Sequence, residues 1–309
     1  MARKLINELT WSASRDALFK TCKRQYYYTY YGAWGGWERG ADAKTRTLYI
    51  LKNMTTLPMW GGSIVHDVIA EALNRYARKQ APITVGELQA RARQKLRGGW
   101  LEAVNKVWLD SPKKTNLAEL YYGDGKSLPP EETEACKARV NECLAAFAAS
   151  PVLAEILAVS YLNWRPVDQL DSFMLDGQLK VWCAIDFAFT DPAGRLRILD
   201  WKTGGEKNDA LRVQLSCYAL YAMDKWHTPL AGIRAAGVFL RENARVSDYT
   251  MSEDMLIEAK ETILSSAAEM RARLVDPLAN EAVEDDFPCV EQDWPCAHCN
   301  FREVCPKQA

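Results

Sequence analysis

The residues best suited to chemistry stand at the end of an apolar run, in the stretch ILDWKTGG (198–205). Asp200 and Lys202 are two residues apart. On a strand they share one face, while Trp201 points to the other. Charges on a strand otherwise fit for burial are costly to desolvate. A salt bridge at a sheet edge explains an isolated Asp-x-Lys. A metal-bound carboxylate beside a lysine that steadies a nucleophilic water or a phosphate also explains it. A second aspartate, Asp186, interrupts the apolar run VWCAIDFAF. The turn DPAG (191–194) joins the two runs, so they are expected to pair as a hairpin and bring Asp186 near Asp200. Close carboxylates repel unless a cation sits between them. Hard oxygen donors suit Mg²⁺ or Mn²⁺.

His66 is the third candidate. It is one of only three histidines, with His227 and His298. It falls in the first turn of a helix expected over 61–79, beside the apolar stripe Val65, Ile69, Ala72, Leu73 and Tyr76, with Ser63 as the N-cap. It is a ligand if that helix start reaches the carboxylates and a core histidine otherwise. Gln214 and Tyr218 are four residues apart, on one face of a helix expected over 210–226.

The nine cysteines include Cys296, Cys299 and Cys305, spaced C-x₂-C-x₅-C near the end of the chain. C-x₂-C without a disulfide framework signals a metal ligand pair. Three thiolates need a fourth partner. Cys22 is the first candidate, Cys289 gives an all-local alternative, and zinc with His298 or with four cysteines is a third reading. Cys136, Cys143, Cys183 and Cys217 fall inside helices or strands and read as small apolar residues.

The elements that must position these groups follow from periodicity. Helices are expected within 11–37 and over 61–79, 85–108, 131–158, 210–226 and 252–275. Strand-like runs are 161–167, two runs meeting at an Asp176-Gly177 turn, 195–204 and 233–241. Residues 40–60 look irregular. The order gives an α/β protein with a mixed sheet flanked by helices. The chain is 48% hydrophobic with a formal net charge of −1. It can bury a sizeable core and has no global basic signature for nucleic acid. No apolar run reaches the ~18 residues of a membrane span, and the start has no signal-peptide core. A cytoplasmic protein is expected.

In this order the pieces resemble the RecB-like branch of the PD-(D/E)XK nucleases. They are GGSIVHDVIAEAL, AIDFAF, ILDWKTG and the Q-x-x-x-Y helix of Gln214 and Tyr218. ILDWKTG is the most specific of them. Cys183 departs from the pattern, which often has glycine there. The resemblance implies a restriction-endonuclease-like core over 1–309 with a helical insertion at about 67–160. It implies metal-dependent hydrolysis of DNA, by an exonuclease on single-stranded or end-containing DNA. His66, Asp186 and Asp200 would hold Mg²⁺ or Mn²⁺ to activate a water and neutralise the phosphate. Lys202 would position that water, and Gln214 and Tyr218 would orient the lysine or the DNA.

Iron–sulfur members of this branch, the AddB-type and CRISPR-associated RecB-like exonucleases, carry one early cysteine and three late ones. The resemblance therefore implies a structural [4Fe–4S] cluster on Cys22, Cys296, Cys299 and Cys305. Such a cluster would staple the 284–309 tail to the N-terminal segment. Such modules serve recombination and repair, phage recombination or CRISPR adaptation, with protein partners expected in a recombination or CRISPR adaptation complex. A non-catalytic DNA-binding or scaffolding subunit is the alternative. The basic run Arg91, Arg93, Lys95 and Arg97, the pair Lys113-Lys114 and the aromatics Tyr26, Tyr27, Tyr28, Tyr30, Tyr31, Trp34 and Trp37 read first as solvated faces and core packing. Contact with single strands is the second reading.

Overall fold

The computed structural model describes residues 5–79, 81–205 and 208–307. A hairpin of β1 (Gln169–Leu175) and β2 (Leu179–Ile185) turns through Asp176, Gly177 and Gln178, with Asp176 and Gly177 both at positive φ and the Gln178 N–H closing the turn on the Leu175 carbonyl. After Asp186 the chain enters a four-stranded sheet of β3 (Phe187–Thr190), β4 (Leu196–Lys202), β5 (Ile233–Phe239) and β6 (Arg245–Thr250), in that order. β3–β4 and β5–β6 are antiparallel, and β4–β5 is parallel. The sheet is mixed, as the order of elements predicts. Asp186 lies at the junction of the two sheets instead of inside one continuous strand.

Alternation along β4 sorts its side chains between two cores. Leu196 and Ile198 face a core built with Trp11, Phe19, Tyr26 and the helices α9 (Asn208–Lys225) and α10 (Glu253–Arg271). Leu199 and Trp201 face the other core, with Phe187 and Phe189. Its helices are α4 (Leu57–Lys79), α5 (Val85–Val104), α7 (Pro130–Ala149) and α8 (Pro151–Ala158). The result is a mixed sheet with helices on both faces, which fits a restriction-endonuclease-like fold. Period two thus delivers Asp200 and Lys202 to the α9 side and anchors Trp201 edge-on against Phe147, with ring centroids 5.4 Å apart.

Local structure departs from the sequence reading at five places. α4 begins at Leu57, so Gly61 and Gly62 lie inside it and Ser63 is not its cap. The carboxylate of Glu119 accepts the Leu57 N–H at 2.8 and 3.0 Å, a long-range cap with no local signature. Residues 43–52 form a helix, α3 (Ala43–Lys52), capped by Asp42. The run 131–158 breaks at Ser150, whose hydroxyl caps α8 ahead of Pro151. Residues 161–163 form a 3₁₀ turn in place of a strand. The half-exposed edge strand β6 carries no apolar alternation to announce it.

The N-terminal segment forms α1 (Ala13–Thr21) and α2 (Lys23–Tyr27), which runs on into a π-helical turn at Tyr28–Gly32. Cys22 sits between them in extended backbone. A third, smaller core of Tyr28, Leu48, Tyr49, Leu51, Met54 and Phe301 joins this segment to the tail. Polar contacts reinforce it. Arg24 donates to the Phe287 carbonyl at 2.7 Å and pairs with Glu284 at 2.6 Å, and Asn300 donates to the Met54 carbonyl at 2.7 Å.

Among the described residues no single helix is long and apolar enough to cross a membrane. α7 and α8 pass only as a pair bent by 50°.

Phe147 is fully buried. Phe147→Ala removes the ring that braces Trp201 and should lower unfolding free energy by about 3–5 kcal/mol in urea denaturation. A loss below about 1 kcal/mol would mean that α7 does not anchor the strand.

Candidate active site

Asp186, Asp200, Lys202, Gln214, Tyr218 and His66 come together where α4 and α9 meet the ends of β2 and β4. Two glycines permit the approach. A Cβ on Gly62 would stand 2.9 Å from Thr203 Oγ1, so the bare glycine lets α4 close on the end of β4 and brings His66, one turn on, to the carboxylates. Gly237 pairs in register with Asp200, and a Cβ there would meet Leu211 of α9 at 2.7 Å.

The hydrogen bonds form two sets joined through the backbone of β4. His66 Nδ1 lies 3.0 Å from Asp186 Oδ1, and the Trp201 backbone N–H donates to Asp186 Oδ2 at 2.7 Å. The backbone of β4 therefore ties one carboxylate to the strand that carries the other. Lys202 Nζ lies 2.6 Å from Asp200 Oδ2 and donates to Gln214 Oε1 at 2.8 Å. Since an ammonium only donates, it fixes which way the amide faces. Gln214 Nε2 then donates to Asp200 Oδ1 at 3.0 Å and to Tyr218 OH at 2.7 Å. The Tyr218 hydroxyl has one proton for two acceptors, the Ala184 carbonyl at 2.7 Å and Asp200 Oδ1 at 3.2 Å.

Electrostatics follow from burial. Desolvation first, and the charge of Asp186 second, push the Asp200 carboxyl up to about 6 against the pull of Lys202. Burial opposes the His66 imidazolium, but the Asp186 charge and hydrogen bond, with Asp200 behind them, outweigh it and raise His66 above its ordinary value. Burial, then Asp200 and Asp186, hold the Tyr218 phenol far above its usual range, so it remains a neutral donor.

Among the described residues, no three His, Cys, Asp or Glu side chains already stand as a metal-ligand group. The carboxylates face side chains of the chain itself instead, the His66 imidazole on Asp186 and the Lys202 ammonium on Asp200. The donor set still fits a hard divalent ion. Asp200 Oδ2 is buried, and its one close partner is the Lys202 ammonium at 2.6 Å. Asp186 and His66 supply an oxygen and an imidazole nitrogen beside it.

Sequence reasoning missed Asp168. Its N–H donates to the Asp186 carbonyl at 3.1 Å, and burial followed by the Asp186 charge raises its carboxyl pKa. Its φ of 48° marks a turn that no local pattern announced.

At the far end, Cys22, Cys296, Cys299 and Cys305 line one cavity, and Cys289 joins them with Sγ 3.6 Å from that of Cys305. An all-thiol donor set suits a soft metal or an iron–sulfur cluster. Arg91 and Lys95 are paired with Glu71 and Asp67, and Lys114 with Glu102, as solvated faces. Tyr26 and Tyr28 are core residues.

A mixed sheet with an acid at the sheet junction and an Asp-x-Lys one strand on defines a class, the metal-dependent nucleases. The chain belongs to the PD-(D/E)XK nuclease superfamily, whose family model matches residues 10–306. That membership implies DNA as the substrate. No match was found among curated proteins. Among eleven matching solved chains, the crystal structure of SSO0001 is 16% identical, covers 58% of this chain and 78% of its own, and has a TM-score of 0.24.

The folded value of Asp200 lies above the ordinary aspartate value of about 3.9. Without metal, its protonation therefore stabilises the fold fully below about pH 4, and that contribution is lost as pH rises through about 6. A bound cation must displace that proton, and His66 competes in the same sense. Mn²⁺ should raise Tm at pH 8, and the same rise should need about tenfold more Mn²⁺ or greater at pH 5. Asp200→Asn should remove the rise at both. Equal Mn²⁺ requirements at the two pH values would refute this assignment.

Proposed function

We propose that the chain is a RecB-like DNA exonuclease that uses Mg²⁺ or Mn²⁺, with its two ends joined by a [4Fe–4S] cluster. The reading is of one nuclease domain over 1–309, with a helical insertion at about 67–160. One observation carries it: Asp186 and Asp200 are tied to the same strand, one through its backbone and one through its side chain, with Lys202 held beside them by Gln214. His66, Asp186 and Asp200 would hold the divalent ion. When bound, the ion supplies Lewis-acid neutralisation of phosphate charge. The chain's own groups do the rest. Lys202, partly exposed in the cavity, directs its remaining donor capacity at a phosphate oxygen or the attacking water. Gln214 keeps the ammonium in place, and Tyr218 holds its proton between Asp200 and the Ala184 carbonyl.

For the cluster, Cys22, Cys296, Cys299 and Cys305 are the proposed ligands. Support comes from their shared cavity and from the core that already joins the two chain ends.

The test uses end-labelled linear single- and double-stranded DNA and a closed circle, with anaerobically purified protein. Linear DNA should shorten progressively with Mg²⁺ or Mn²⁺ while the circle survives, and Lys202→Ala should lower the rate about 100-fold or more. Equal cutting of the circle would make it an endonuclease. No metal-dependent cutting would favour the scaffolding role. In parallel, Cys22→Ala should lose bound iron while Cys289→Ala keeps it. Full iron in the Cys22 variant would remove the staple.

A further inference from the structure

The carboxylates line a cavity of about 750 Å³, and another part of its wall comes from the N-terminal segment. Arg15 of α1 lines that wall and is only 4% exposed. Its Nε donates to Tyr26 OH at 3.1 Å and its Nη1 to Thr10 Oγ1 at 2.8 Å, both neutral partners. Its Nη2 is buried and has no hydrogen-bond partner at all. Among the described residues no carboxylate pairs with it.

Lys52, in the last turn of α3, lines the same wall and likewise has no ion pair among the described residues. Burial, then the charges of Arg15 and Lys113, push its ammonium below the ordinary lysine value. Both cations gather on one ring. The Arg15 guanidinium lies 4.1 Å from the Tyr30 centroid and the Lys52 ammonium 5.6 Å. Glu8, which also lines the cavity, is paired with Lys180, and Asp186 and Asp200 face His66 and Lys202. A buried arginine with an unused donor and a half-buried lysine beside it form a site short of an anion. Trp34, also on this wall, is 36% exposed.

We propose that Arg15 and Lys52, gathered on Tyr30, form a phosphate subsite for a single nucleic-acid strand whose scissile phosphodiester lies at Asp186, Asp200 and Lys202, with Trp34 as a stacking surface for a base. The subsite deepens the nuclease reading and rests on it for the identity of the strand. An arginine this buried is out of reach of a phosphate on an intact duplex, whose backbone lies on the outside of a wide, stiff rod. A single strand can enter and stack its bases. Two fixed cations also set a register, so the strand must extend beyond the scissile bond to reach them.

The test separates binding from cutting. Labelled oligothymidylates of two to twelve nucleotides, thymidine monophosphate and a twelve-pair duplex are titrated in EDTA, at several salt concentrations, by fluorescence anisotropy or competition. Lys52→Gln should weaken binding of the twelve-nucleotide strand several-fold and flatten its log Kd against log salt slope by about 0.7. The dinucleotide and the monophosphate should be indifferent to it. Arg15→Lys should act in the same direction. Unchanged unfolding temperature in Lys52→Gln keeps the result clear of misfolding. An unchanged affinity and slope in Lys52→Gln would overturn the subsite. So would an equal loss for the duplex, or a wild-type protein that binds no strand. The underlying nuclease reading fails separately. Binding that depends on Lys52 with no Mg²⁺- or Mn²⁺-dependent cutting leaves the subsite and removes the nuclease, and cutting that ignores Lys52 does the reverse.

Discussion

The negative charge of Asp200 is buried within a strand end, and much of the local structure answers to it. An isolated carboxylate there would cost several kcal/mol or take up a proton. Three neighbours share the burden: the Lys202 ammonium, the Gln214 amide and the Tyr218 hydroxyl. They do not fully offset it: burial, and behind it the negative charge of Asp186, keep the carboxyl raised. The site is left under electrostatic tension that another cation would relieve. That tension links packing to chemistry, since the helix and strand placements that bury Asp200 also make it an avid oxygen donor.

Neither core could be exchanged for a simpler one without moving the site. Trp201 is locked against Phe147 on one face, and its backbone N–H holds Asp186. A slip of β4 by one residue would put Asp200 among the aromatics of the other core and Trp201 into the cavity. Hydrophobic packing of the odd-numbered residues of β4 from 199 therefore fixes the polar geometry of the even-numbered ones.

Much of this was legible in the chain. Period two along ILDWKTG placed Asp200 and Lys202 together, the DPAG turn brought Asp186 to them, and i, i+4 spacing placed Gln214 with Tyr218. What stayed hidden depends on contacts distant in sequence. Glu119 caps α4 from 62 residues away, so the glycine pair that looked like a helix start is interior to the helix. Asp168 enters through a left-handed turn. Nothing in the sequence singles out Arg15 or Lys52, because only the closed fold shows that their partners are neutral or absent. The fate of Asp186 was partly misread as well. An apolar run with one acid resembles a continuous strand, yet the acid marks the point where the chain changes sheets.

The N-terminal segment contributes residues to both the thiol cavity and the catalytic cavity. Cys22 sits in the two-helix segment that also carries Arg15 on one side and Tyr30 on the other. The segment is short, and its helices are too brief to be stable alone. It is held by packing on Phe287 and Phe301 and by the pairing of Arg24 with Glu284, contacts that all reach the C-terminal tail. Anything that fixes the tail to Cys22 therefore fixes the place of Arg15 and Tyr30 relative to the carboxylates. Looseness at the thiol end would be felt first as poorer placement of these N-terminal side chains. The catalytic acids, carried by the sheet, would keep their mutual geometry. On this architecture the two ends of the chain control how a ligand is held, and the sheet controls what is done to it.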